Sequence, residues 1–272
     1  MNETQLKQLF EYSFKQNAKK EWYLLAIAVL TASNAPEDIA QIFLLELVSS
    51  LPENKSKSTD WLIEAVIKMI EDPVLLNTTF HEVSSVQCTI LSKVKECILK
   101  ISAIVGIPRA INGLRYVRLY TPASLLSDSP LQIDANTHYI DRTHTVRKDE
   151  DVESTVQDVL QRGMRHWNTT YGKVSNRVIE DLNQFYPDLW QFIIKDVYGD
   201  ILSYNDIVSG PVTSLLMISC LVPMDVNPQL RGHLRGALNF GWDMETINEV
   251  KSFAILIAQW HGIKWKSEVT KL

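Results

Sequence analysis

Apolar residues recur at helical spacing along almost the whole chain, and clear strand alternation is missing. A chain with that period must bury its apolar surface by packing helix on helix, so the expected fold class is all-α. Leu6, Leu9 and Phe10 open a first amphipathic segment, and residues 22–32 predict a strongly apolar second helix. Ser33 and Asn34 offer a cap, Pro36 a first-turn residue and Glu37 with Asp38 dipole-complementing charges for a third helix to about Ser49. After a polar break at 52–58, Thr59 or Asp60 is expected to cap a helix to about Ile70, ended by Asp72 and Pro73. A long helix over about 83–105 stops at Gly106-Ile107-Pro108, and the last three helices fall near 212–221, 228–240 and 244–260.

Composition narrows the function classes. With 272 residues the chain can bury a sizeable core, in one large domain or two smaller ones. A net charge of −5 supplies no basic field for nucleic acid, and the basic cluster at 142–148 runs straight into Asp149, Glu150 and Asp151. The cysteines, Cys88, Cys97 and Cys220, are odd in number and lack CxxC spacing, which argues against a disulfide framework, a zinc site and a redox pair. Each lies in an apolar stretch and is expected to be a small core residue. No apolar run is long enough to span a bilayer, and the first residues lack the basic region of a signal peptide. His138, His144 and His166 have no metal-ligand spacing, and no phosphate-binding loop or dinucleotide fingerprint occurs. Neither a metal nor a cofactor is expected.

Segment 119–151 holds Pro122, Pro130, several serines and mixed charges, and is expected to link a unit at 1–118 to one at 152–272. The units look related. Trp22-Tyr-Leu-Leu-Ala-Ile-Ala-Val-Leu before Asn34-Ala-Pro36 parallels Thr213-Ser-Leu-Leu-Met-Ile-Ser-Cys-Leu before Asn227-Pro228. Val94-Lys95-Glu96 and Val250-Lys251-Ser252 precede Gly106-Ile107 and Gly262-Ile263 by the same distance. The first copy carries an insertion around 51–80. Two such copies in one chain are expected to pack their apolar faces together, as a homodimer of single units would.

Leu230-Arg-Gly-His-Leu-Arg-Gly-Ala-Leu-Asn-Phe-Gly241 is the stretch richest in chemistry. His233 can hold or donate a proton near neutral pH and is the candidate catalytic residue. Gly232 and Gly236 each lower helix propensity by about 1 kcal/mol relative to alanine, which suggests close approach by another helix or a ligand. Arg231 and Arg235 could bind a carboxylate, although on an ideal helix they point about 200° away from His233. Trp260 and His261, ending the last long helix, could wall a pocket. In the first copy the position matching His233 is Gln41, and Arg231 matches Ile39, so that copy is expected to be a partner without a site.

Pro187-Asp-Leu-Trp, Tyr198-Gly-Asp, Ser214-Leu-Leu-Met-Ile, the His233 stretch and Glu245-Thr-Ile-Asn-Glu-Val together resemble the carboxymuconolactone decarboxylase family, which includes the alkyl hydroperoxidase D-like proteins. The resemblance covers about 160–265 well and about 20–115 weakly. It implies an all-helical, oligomeric protein, a divergent tandem member of fungal peroxisomal type. Family members include cofactor-free decarboxylases acting on lactones, and thiol peroxidases. The peroxidase motif Cys-x-x-Cys-x-x-x-His meets Val226 and Gln229 at its cysteine positions, so thiol peroxidase activity is not expected. The family's Arg-Glu pair falls on Val212 and Thr213, which puts the parent reaction in doubt. The resemblance therefore implies cofactor-free acid–base chemistry, carried by His233, on a small carboxylate, lactone or related carbonyl compound. A non-catalytic helical scaffold or binding protein is the competing class.

The chain ends Thr270-Lys271-Leu272, one methyl group away from the peroxisomal Ser-Lys-Leu address. A peroxisomal matrix location is expected, with cytoplasmic as the alternative, and the import receptor is the expected partner.

Overall fold

The two stretches without a polar face lie at the centre of the molecule. In this computed structural model, which describes residues 1–14, 16–126, 147 and 155–272, every residue of Trp22–Ala32 is buried, and nearly every residue of Gly210–Leu221. A helix apolar all round can only be interior, and these two pack against each other. Among the described residues all regular structure is helical, so the all-α expectation holds.

Among the described residues the α-helices are, in chain order, α1 (Glu3–Phe10), α2 (Trp22–Ala32), α3 (Pro36–Ser49), α4 (Thr59–Glu71), α5 (Pro73–Thr79), α6 (Ser85–Val105), α7 (Ile107–Leu119), α8 (Val156–Tyr171), α9 (Ser175–Phe185), α10 (Pro187–Phe192), α11 (Gly210–Leu221), α12 (Asn227–Asn239) and α13 (Met244–Trp260). Helix α2 is flanked by α3, α6, α11 and α13, and α11 also touches α6, α12 and α13. Both halves of the chain thus feed one continuous core. Helix α8 lies on α12 and on a π-helix at Ile193–Leu202.

The turns into α3 and α12 are alike. Asn34 (φ 55°) and Asp225 (φ 58°) are the non-glycine residues with left-handed backbone among the described residues, a region that Asn and Asp tolerate best. Each is followed by a residue at nearly the same angles, Ala35 (φ −113°, ψ 67°) and Val226 (φ −115°, ψ 65°), and then by a proline in the first helical turn. Superposing these turns sets His233 opposite Ile42 rather than Gln41. The expected side-chain cap from Ser33 or Asn34 is not made: Asn34 turns the chain instead, and Ala35 is the capping residue.

Several local expectations are corrected. Ser58, not Thr59 or Asp60, caps α4 by accepting from Trp61 N at 3.3 Å. Asp72-Pro73 ends α4 but also starts α5, with Asp72 capping Val74 and Leu75. Pro108 likewise begins α7, because a proline in a first helical turn gives up no helical hydrogen bond. Cys97 and Cys220 are core residues as expected, whereas Cys88 is exposed. Most of the expected linker, with His138, His144 and the basic cluster apart from Arg147, lies outside the described residues.

The π-helix is held by features with no local sequence signature. Gly163 and Gly199 let it cross α8 in backbone contact: a Cβ on Gly163 would lie 2.7 Å from Gly199 N. Its last carbonyls are collected by three basic side chains. Lys100, fully buried, donates to Leu202 O (2.9 Å), Tyr204 O (2.5 Å) and Thr213 Oγ1 (3.0 Å). Arg147 donates to Asp200 O and Ile201 O while paired with Glu96, and Arg162 donates to Gly199 O and Ser203 Oγ. Donors at a helix C-terminus satisfy orphan carbonyls, and the charges of Arg147 and Arg162 complement its dipole, while burial lowers Lys100 to about 7.

Candidate functional site

His233 lies in the middle of α12, on the face turned toward α8. Its ring centroid is 6.3 Å from that of Tyr171, and burial lowers its pKa to about 4. The imidazole is therefore neutral at physiological pH and able to accept a proton.

Around it α8 and the π-helix supply a buried aromatic and titratable cluster. The hydroxyls of Tyr171 and Tyr198 share a hydrogen bond, and burial raises both their pKa values. His166 sits with its ring 5.9 Å from Tyr198 and 5.0 Å from Phe240. Burial, reinforced by Lys100 and, in acid where it is protonated, by His233, lowers it to about 3, so it too is neutral at physiological pH. Trp167 closes the cluster by packing on Tyr171, Tyr198 and Trp190 while its indole donates to Ser175 Oγ at 3.0 Å. The arrangement is two neutral imidazoles beside a hydrogen-bonded phenol pair. All four groups are uncharged near neutral pH, and only the two phenols are bonded to each other.

The two glycines beside His233 differ. A Cβ on Gly236 would stand 3.0 Å from Thr170 O, so this glycine lets α8 approach α12. A Cβ on Gly232 would meet Tyr171 Cε1 at an ordinary 3.7 Å.

The other predicted residues go elsewhere. Arg231 is directed to the C-terminal tail, its Nε donating to Thr270 Oγ1 at 3.1 Å. Arg235 is exposed. Trp260 is half-buried against the core. His261 bridges to the first half: Nε2 pairs with Asp38 Oδ2 at 2.7 Å and Nδ1 with Ile257 O at 2.8 Å. With an acceptor at each nitrogen the ring is best held as imidazolium, and the Asp38 hydrogen bond raises its pKa against a smaller burial effect. Burial alone would raise Asp38, but hydrogen bonds from His261 and from the Met1 amine outweigh it and hold the carboxyl low. The structure thus brings His233 together with His166, Tyr171 and Tyr198, and separates it in role from Arg231 and His261.

Of that cluster only His233 and His166 stand out in the sequence. Tyr171 and Tyr198 come from segments 27 residues apart and become neighbours through the Gly163–Gly199 crossing. Among the described residues no group of histidine, cysteine and carboxylate side chains could hold a metal ion. No helix among them is long and apolar enough to cross a membrane. A surface cleft of about 510 Å³ between α4 and α5, lined by Trp61, Lys68 and Met69 among others, shares no residue with the histidine cluster.

No family model matches the sequence, and no solved structure matches it. Two curated proteins do. Peroxisomal protein 2 of Saccharomyces cerevisiae is 38% identical over 269 residues, 95% of each chain. Peroxisomal protein 2 of Schizosaccharomyces pombe is 35% identical over 184 residues, 68% of this chain and 77% of the relative.

Proposed function

The chain belongs to the peroxisomal protein 2 family and is a peroxisomal protein, and on that premise we propose that it is a divergent, tandem relative of the carboxymuconolactone decarboxylases. In this reading it performs cofactor-free proton transfer on a small lactone, keto acid or related carbonyl compound. The observation that carries the reading is the buried, neutral His233 beside the Tyr171–Tyr198 pair. His233 is unprotonated at the working pH and sheltered from water, and a bound substrate that raises its pKa toward that pH would make it an effective base. In this reading His233 takes the proton from the substrate, and the substrate anion left beside it balances the imidazolium charge. The matched turns at Asn34 and Asp225 support the tandem arrangement, in which α3 is the partner without a histidine. This reading does not assign Arg231 to the substrate, since its Nε donates to Thr270 Oγ1.

Homo-oligomer formation is part of the proposal. Phe185, Tyr186, Leu189 and Phe192 expose an apolar corner at α9–α10 that a soluble monomer would rarely leave open. So is import through Thr270-Lys271-Leu272. A non-catalytic helical scaffold is the second reading. It is favoured by one observation: Arg231 and His261, two of the polar residues expected to face a ligand, have partners within the chain.

The test is ligand-induced thermal shift with a panel of lactones, keto acids and acyl-CoA metabolites, run in parallel on His233→Ala. Binding raises melting by mass action, so weak ligands register at high concentration. A shift lost in the variant supports the site, and a shift of equal size in both proteins sinks it.

A further inference from the structure

The C-terminal nine residues do not hang free. Trp265 Nε1 donates to Val222 O at 2.7 Å, and Lys266 N to Asp225 Oδ2 at 3.1 Å. Asn227, the first residue of α12, then clamps the tail from both ends of its amide. Its Nδ2 donates to Ser267 Oγ (3.0 Å) and Glu268 O (3.1 Å), and its Oδ1 accepts from Thr270 N at 2.8 Å. Arg231 Nε holds the Thr270 hydroxyl at 3.1 Å, and Lys251 Nζ donates to Thr270 O at 3.4 Å. Thr270 is only 7% exposed, whereas Lys271 and Leu272 are exposed.

A receptor that reads a C-terminal tripeptide must surround its side chains and capture its carboxylate and backbone. Here the N–H, C=O and hydroxyl of the first residue of that tripeptide are already taken. We propose that the tripeptide is a latched address, held on α12 by Asn227, Arg231 and Lys251 and available to the import receptor only after it peels away. The proposal rests on the reading of Thr270-Lys271-Leu272 as an import signal. The exposed Lys271 and Leu272 give the receptor its first hold. Thr270 is released as its contacts to Asn227, Arg231 and Lys251 break. Because apparent affinity falls in proportion to the fraction of molecules in the competent state, the latch sets how readily the folded protein is captured. It also gives Arg231 a role on the outer face of α12, pointed away from His233.

The experiment compares receptor binding of three samples: a synthetic peptide of residues 261–272, the folded full-length protein, and full-length Asn227→Ala and Arg231→Ala variants. The latch predicts that the peptide binds about ten times more tightly than the folded protein or better. Each variant should close part of that gap, with faster hydrogen exchange confined to 264–272. Arg231 lies on the exposed face, so its variant keeps the test valid should Asn227→Ala disturb the start of α12. Equal affinity of peptide and folded protein overturns the latch and leaves the import signal standing. A peptide that does not bind overturns the import signal, and the latch with it.

Discussion

Helices α3 and α12 begin in the same way and then diverge in chemistry. Both are entered through a left-handed Asn or Asp, then an extended-side residue, then a proline in the first turn. Beyond the turn, α3 buries Ile42, Leu44 and Leu45 where α12 carries His233, Arg235 and Gly236. Helix α3 lies beside the wholly buried α2, so its interior face can be aliphatic. Helix α12 is closely approached by α8, and Gly236 is what makes room. The contrast teaches that the backbone turn fixes where such a helix lies, while the helix packed over it decides whether its inner face is filled or chemically equipped.

Exchanging residues between the two helices breaks the comparison most sharply. Gly236→Leu, which installs the residue of the α3 position, is expected to cost about 3 kcal/mol or more, because the side chain would drive into the Thr170 backbone. Denaturant titration measures it, and a loss below about 1 kcal/mol would refute the close-approach account.

The titrating groups on the two helices have opposite signs. Burial, helped by Glu21 and opposed by the Trp22 indole and Lys93, raises Glu46 on α3 to about 7. A carboxyl raised in the folded state contributes stability below its unfolded pKa near 4.5, which is lost as pH rises through 7. Glu46→Gln is therefore expected to gain on the order of 2 to 3 kcal/mol above pH 7 and little at pH 4, as read from chemical denaturation at the two pH values. His233 on α12 is lowered from 6.5 to about 4, so the folded state resists a proton that the unfolded chain accepts. Stability is then lost as pH falls from about 6.5 to 4. His233→Ile, the residue of α3, should remove about 2 kcal/mol of the loss between pH 7 and pH 5. An unchanged acid limb would contradict the neutral imidazole. The smallest expected effect is a gain: Gly232→Ala should stabilise by about 0.5–1 kcal/mol, because its Cβ would meet only ordinary contact.

How much of this was legible in the sequence depends on how local each cause is. Helices α2 and α13 match their expected limits because an apolar run or a cap and stop signal defines each end. Helices α5 and α7 escape notice because Asp72-Pro73 and Gly106-Ile107-Pro108 read locally as stops, while each proline also starts a helix. The π-helix depends on the Gly163–Gly199 crossing and on Lys100, Arg147 and Arg162, brought from three distant segments. His233 could be singled out because a histidine between glycines and arginines interrupts an otherwise ordinary helix. The tyrosine pair beside it and the engagement of Arg231 by Thr270, 39 residues on, follow from tertiary placement alone.

The most direct test of the central claim is an NMR titration of the His233 imidazole, assigned by comparison with His233→Gln, in the free protein and with a keto acid or lactone that shifts melting. The account predicts a free pKa near 4, which the bound ligand moves while leaving His261 unchanged. An imidazole that titrates near 6.5, or one indifferent to every ligand that binds, would contradict it.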